Sequence, residues 1–381
     1  MMSIRGDQRG NQGTKGRQRH AFAFLVLLAF LVSFSFVILE GQAGAQAAKR
    51  RVASVEAELK EAVRRSPESF EANHRLGEFY IERQNLAAAI PYLEQAQRID
   101  PAHEANGYDL ALAYFKLGDL ARARAQIRSR IEIKETAELH SLLGDVEDGA
   151  GNLAAAAEAY QRAARMEETE NRLLDLGNSL IKINAFEAAV RIFNYGLEKF
   201  PRSASLRVGM GIACYSRGQY HDAVKLLCQA VDLEPSDPRP YLFLGEMVGI
   251  STEMADEITR RMAEFVKRHP KRPEAYYYYA VSLKRDDGSP GDPARVESLL
   301  KTAIALDPKL ARAHFELGVV YSGTQRYAEA IGEMQAAIKL QPNLEKAHYR
   351  LAQLYRRTGQ RELAAREMEV FNRLKERPKG Q

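Results

Sequence analysis

The side chains with the most chemical potential in this sequence are histidines, two cysteines and a short glycine pair. His74, His103, His140, His221, His269, His314 and His348 are scattered along the chain. None is read as pairing at i, i+4 with a second ligand type, and no H-E-x-x-H run occurs, so no metal ligand set is expected. Cys214 and Cys228 are the only cysteines. They are too few for a disulfide framework or a four-cysteine zinc site. They could form one bridge in an oxidising compartment, or serve as two small buried apolar residues. Gly209-Met-Gly211 imitates the start of a dinucleotide fingerprint, but no strand precedes it, and small residues for helix packing explain it. Neither a G-x-x-x-x-G-K-[ST] loop nor a G-x-S-x-G elbow is present. No catalytic residue, cofactor or metal is therefore predicted, and the chain is not read as an enzyme.

Charge narrows the partners. The 381 residues carry a net +5. The first 50 alone hold seven basic and two acidic groups, the same net +5, so the remainder is balanced. The basic balance belongs to the leader, which argues against a nucleic-acid partner for the body. Residues 1–20 read as a basic, unstructured head. Residues 21–39, AFAFLVLLAFLVSFSFVIL, form an apolar run long enough, as a helix, to cross roughly 30 Å of hydrocarbon. Small residues follow at Ala43, Ala45 and Ala47. Two readings of 21–47 are open: a cleaved export signal with an A-x-A site, or a retained single-pass anchor contacting the membrane through 21–39. In both, the body crosses the inner membrane, to be periplasmic or secreted if cleaved and membrane-anchored otherwise.

The elements that position the body are visible as a repeat. Paired positions recur at Leu76/Gly77, Leu110/Ala111, Leu143/Gly144, Leu176/Gly177, Met210/Gly211, Leu244/Gly245, Tyr279/Ala280, Leu317/Gly318 and Leu351/Ala352, at a nearly constant spacing. Thirteen positions after most pairs stands an alanine (Ala89, Ala123, Ala156, Ala189, Ala223, Ala330, Ala364). A large apolar residue follows four positions later (Leu93, Ile127, Tyr160, Phe193, Leu227, Met334, Met368), and three further on a small residue often recurs. Small residues let two helices approach closely, and the large one fills the groove between them. Gly118, Gly151, Gly218 and Gly359 fit a left-handed turn between the helices. Prolines such as Pro101, Pro201, Pro270, Pro308 and Pro342 end the units.

This pattern resembles the tetratricopeptide repeat (TPR), a helix–turn–helix unit of about 34 residues. The resemblance covers residues 70–375 as about nine units, with a half repeat over 48–69 and a tail at 376–381. It implies an all-α, right-handed α-solenoid of stacked antiparallel helix pairs (a TPR superhelix). Two departures stand out. The unit around Leu244 has a poorly matching second helix, and the next carries an insertion over Asp286–Pro293, so 246–293 is expected to be a flex point. The early tryptophan favoured in the family is replaced by Asn73, Tyr276, His314 or His348.

In the family the first helix of each unit lines the concave face, where peptide segments dock. Carried over by register, its fifth positions include Tyr277, Phe315 and Tyr349, an aromatic row in the last three units. Tyr278, Lys284, Arg285, Arg312, Lys346, Arg350, Arg356 and Arg357 lie nearby on the same face. The resemblance therefore implies a non-catalytic scaffold that binds peptide segments of other proteins. The binding residues expected are Tyr277, Tyr278, Arg285, Arg312, Phe315, Tyr349, Arg350 and Arg356. No unit has the Lys and Asn at fifth and ninth positions with which one family variant grips a C-terminal carboxylate; Asn178 is accompanied by Leu174. The alternative role is as an accessory factor in assembling an envelope machine, such as those for outer-membrane, pilus or cytochrome biogenesis.

Overall fold

A computed structural model describes residues 51–284 and 291–376. The leader expected over 1–47 and Arg285 lie outside them. Among the described residues no helix is long and apolar enough to cross a membrane.

Helix α1 occupies residues 51–65. Eighteen α-helices follow: α2 Phe70–Glu82, α3 Leu86–Ile99, α4 Glu104–Lys116, α5 Leu120–Ile133, α6 Ala137–Gly149, α7 Leu153–Met166, α8 Glu170–Lys182, α9 Phe186–Lys199, α10 Ala204–Ser216, α11 Tyr220–Leu233, α12 Arg239–Glu246, α13 Ala255–Arg268, α14 Pro273–Ser282, α15 Pro293–Leu306, α16 Ala311–Gly323, α17 Tyr327–Leu340, α18 Glu345–Arg357 and α19 Arg361–Lys375. The even-numbered helices carry the Leu-Gly-like pairs, and the odd ones from α3 on, except α13 and α15, carry the alanines. The described residues divide into two compact units, at Glu135/Thr136. Within each, every first helix packs on its own second helix, and that helix on the first helix of the next pair. The fold is all-α, and each unit is a solenoid of stacked helix pairs.

The small-residue positions act as sockets. A Cβ on Gly77, Gly144 or Gly177 would fall 2.4–2.5 Å from the side chains of Leu93, Tyr160 and Phe193 respectively. Ala89, Ala156, Ala189, Ala223 and Ala330 have no exposed surface. Between the helices of a pair, the backbone turns through the left-handed region at Gly118, Gly151, Gly218 and Gly359, as expected, and also at Gln84, Asn184 and Gln325. The next amide then reaches back across the helix end, as from Asp119 to the Tyr114 carbonyl at 2.9 Å.

The residues standing in for the family tryptophan share a task. Asn73, Tyr276, His314 and His348 each place a side-chain N–H or O–H on the carbonyl of the proline six positions earlier, at 2.8–3.2 Å. Arg207 does the same to Pro201. Where that position is Gly107, Arg130 of α5 lies in the hollow and donates to Pro101 instead.

Residues 285–290 of the flex point expected over 246–293 lie outside the described residues; in the described part, the helix pairing is locally altered. Helix α12 has 8 residues where the other first helices up to α10 have 13. Its left-handed turn comes early, at Gly249, and a 3-10 turn over Thr252–Met254 leads into α13. Gly245 is consequently filled by Tyr278, from the following pair, at 2.4 Å. The apolar core runs through this region, from Ala204 to Tyr278.

Cys214 and Cys228 are free and buried, so no bridge forms between α10 and α11. Burial pushes the Cys228 thiol up to about 12, well away from reactive thiolate. Denatured, unreduced protein is expected to titrate two thiols, and native protein to resist alkylation at both; a count of zero contradicts the assignment.

Candidate functional site

The C-terminal face expected to bind partners holds a cleft of about 570 Å³. Repeat register builds it. Phe315 and Val319 stand one turn apart on α16, and Tyr349 and Gln353 occupy the equivalent positions of the next repeat, along α18. Phe371 of α19 closes the apolar floor, its ring tilted at 43° to that of Tyr349 with centroids 5.2 Å apart. Tyr349 remains 38% exposed, a large ring held in place yet open to a ligand. Lys346 and Arg350, one turn apart on α18, form the basic rim. No acidic side chain pairs with either among the described residues. Arg350 reaches only Gln353, at 3.4 Å. Lys284 also lines the cleft, but it is bonded to Glu316 and adds no net charge.

The structure therefore gathers Phe315, Tyr349 and Arg350 and, among the described residues, separates Tyr277, Tyr278, Arg312 and Arg356 from them. Tyr278 is a core residue: its ring is buried in the Gly245 hollow and its hydroxyl donates to Glu246. Arg312 donates to the same carboxylate at 2.8 Å. Burial works to raise the pKa of Glu246, but these two donors hold it below the ordinary carboxylate value. Arg312 is thus an inter-repeat strut, and its charge is spent internally. Tyr277 lies against two apolar cores of the second unit rather than in the cleft lining, and burial pushes its hydroxyl up to about 12. Arg356 is exposed at the end of α18, away from the lining.

Two lining residues were not anticipated. Glu316 neutralises Lys284. Phe371 carried a signal: it stands three positions after Met368, where other units have Ala96, Ala163, Ala230 or Ala337. A large ring at a small-residue position has to find other space, and it turns onto Tyr349.

Stacked helix pairs with an aromatic-floored, open cleft define a repeat scaffold that presents its surface to other proteins. Profiles described as tetratricopeptide repeat match residues 41–104, 81–146, 174–238 and 311–344, more than half of the sequence. The chain belongs to the tetratricopeptide-repeat family. Among solved structures, the C-terminal part of a TPR repeat-containing protein from Cytophaga hutchinsonii is 16% identical, with a TM-score of 0.53, covering 64% of this chain and 99% of its own. YrrB, a TPR protein with an unusual peptide-binding site, is 17% identical over 48% of this chain and 95% of its own, at a TM-score of 0.42. The Cut9–Hcn1 hetero-tetramer of the APC/C is 13% identical over 87% and 92%, at 0.45. No curated protein matches the sequence.

Proposed function

We propose that this protein is a non-catalytic scaffold whose C-terminal cleft holds a peptide segment of a partner protein, one pairing an acidic residue with an aromatic or large apolar one. The carrying observation is the adjacency of an exposed aromatic floor, Tyr349 on Phe371, to two cations, Lys346 and Arg350, that have no ion-pair partner among the described residues. Aromatic anchors bury large area at low entropic cost, and arginine recognises carboxylates in a bidentate fork. The basic head and apolar run of residues 1–39 support placing this scaffold across the inner membrane from the cytoplasm. Mass spectrometry of the mature N-terminus tests that placement and distinguishes cleavage near Gln46 from retention.

Selection from a displayed random-peptide library should enrich Asp or Glu beside Phe, Tyr, Trp or Leu. Tyr349→Ala and Phe371→Ala are each expected to weaken a selected peptide about 30-fold, the effect of losing a ~2 kcal/mol anchor. Arg350→Glu should erase the acidic preference. Affinities unchanged in all three variants place peptide binding elsewhere.

A further inference from the structure

In the first compact unit, α2 carries His74 and Glu78 one turn apart and α4 carries Asp109. One ligand atom from each lies within 4.8 Å of the other two. This corrects the expectation that no histidine pairs at i, i+4 with another ligand type. Sequence spacing hides the group because its third member stands on the first helix of the next repeat and joins the pair only through helix stacking.

The neighbours of His74 fix its tautomer. The amide group of Asn106 donates to the Leu93 carbonyl at 3.0 Å and to Gln97 Oε1 at 3.2 Å. Its Oδ1, 3.2 Å from His74 Nδ1, is therefore an acceptor, and Nδ1 carries the hydrogen. In the neutral ring Nε2 then presents a lone pair, 3.4 Å from Glu78 Oε1. A cation placed between these two acceptors, a proton or a metal ion, would satisfy both. The His103 ring lies 5.1 Å from that of His74, tilted at 58°, but its Nδ1 accepts from the Asn106 backbone N–H at 3.3 Å, so its own lone pair is occupied.

The same inter-repeat contact occurs elsewhere with its charge answered. Glu246 on α12 meets the Tyr278 hydroxyl of α14, a donor. At the equivalent place Glu78 meets Asp109, a second acid. Burial raises the Asp109 carboxyl and the Glu78 charge adds to it; a charged His74 or His103 would pull the other way. No hydrogen-bond donor reaches Asp109 among the described residues. One proton on Nε2 answers a single carboxylate; a divalent ion answers both.

We propose that His74 Nε2, Glu78 and Asp109 form a binding site for a divalent transition-metal ion, with zinc the best fit, tying α2 to α4. Zinc bonds of about 2.0–2.2 Å in a tetrahedron give ligand-to-ligand edges of about 3.3–3.6 Å. The His74–Glu78 distance already equals that edge, and Asp109 must close by about an ångström, within reach of side-chain rotation. Imidazole and carboxylate are ligands suited to this metal. Three protein ligands leave a fourth position for water, and Asn106 supplies the outer-shell hydrogen bond that orients the ring.

The test is titration of the full, chelator-treated chain with Co²⁺ and then Zn²⁺ at pH 7.5, read by visible absorption and thermal unfolding. One equivalent of Co²⁺ with tetrahedral absorption bands, displaced by Zn²⁺, is expected, with a rise in melting temperature as metal is added. Glu78→Gln and Asp109→Asn should each weaken binding by more than the roughly 10–100-fold that loss of an outer-shell partner costs. Glu78 is exposed, so its variant keeps the fold and decides the matter if Asp109→Asn does not. Absence of saturable binding up to ~1 mM metal, the weak end of specific affinity, overturns the site. So does binding that Glu78→Gln leaves unchanged.

Discussion

Replacing Phe193 with alanine is expected to cost about 3–5 kcal/mol, a large fraction of the stability of an ordinary domain. The ring, on α9, has no exposed surface. It is gripped from both sides: a Cβ on Gly177 of α8 would lie 2.4 Å from it, and one on Gly209 of α10 would lie 2.5 Å from it. One side chain thus fills sockets on the first helices of two successive repeats, and its removal opens a cavity that neither glycine can close. The sockets predict a coupling as well as a cost. Alone, Gly177→Ala pushes a methyl group into the ring, and overpacking of that kind costs about 1–3 kcal/mol. In a Phe193→Ala background the same methyl enters empty space, and the ~0.5–1 kcal/mol by which alanine outranks glycine in a helix turns the change favourable. Urea denaturation of the four proteins measures the coupling energy. Because repeats are stabilised by their nearest neighbours, loss of hydrogen-exchange protection should centre on α8–α10. If Gly177→Ala costs the same in both backgrounds, the two residues do not share a socket.

The helix pairs were legible because their packing chemistry repeats. A small residue opposite a large one, in most units, is what close helix approach requires, and most of the residues so marked are buried. What spacing could not convey was substitution of one chemical means by another. The left-handed turn needs a backbone conformation rather than a glycine, and Gln84, Asn184 and Gln325 adopt it because the packed helices on either side hold them there. The tryptophan position needs a donor for a proline carbonyl, so asparagine, tyrosine, histidine and arginine all serve, and at Gly107 the donor comes from Arg130 on another helix. The cleft was half legible for a related reason. Phe315, Tyr349 and Arg350 followed from register. Which cations are already paired depends on contacts such as Arg312 with Glu246, two repeats apart, that no local pattern encodes.

Substituting Asp175 with asparagine is expected to stabilise the protein by about 1–3 kcal/mol at pH 7 to 8 and to change nothing near pH 4. Asp175 on α8 lies partly buried beside Asp145 on α6, which accepts the Tyr160 hydroxyl at 2.7 Å. Burial first, then the Asp145 charge, lift the Asp175 carboxyl to about 6, against a smaller pull from Arg172. The folded chain therefore holds this proton more tightly than the unfolded chain, whose carboxyl ionises near pH 4. Between about pH 4 and pH 6 unfolding releases a proton, so this site lowers stability as pH rises and exerts its full penalty above pH 6. Glu257 acts in the opposite sense. The Arg260 hydrogen bond leads the effects that hold it at about 2, so its contribution is lost as pH falls through the acid range. The wild-type profile sums both slopes, and the difference between wild type and Asp175→Asn isolates one. That difference should open between pH 4 and 6 and then stay level. Parallel profiles across this range would mean that Asp175 ionises as freely in the folded chain as in the unfolded one, and that water reaches the space between the two first helices.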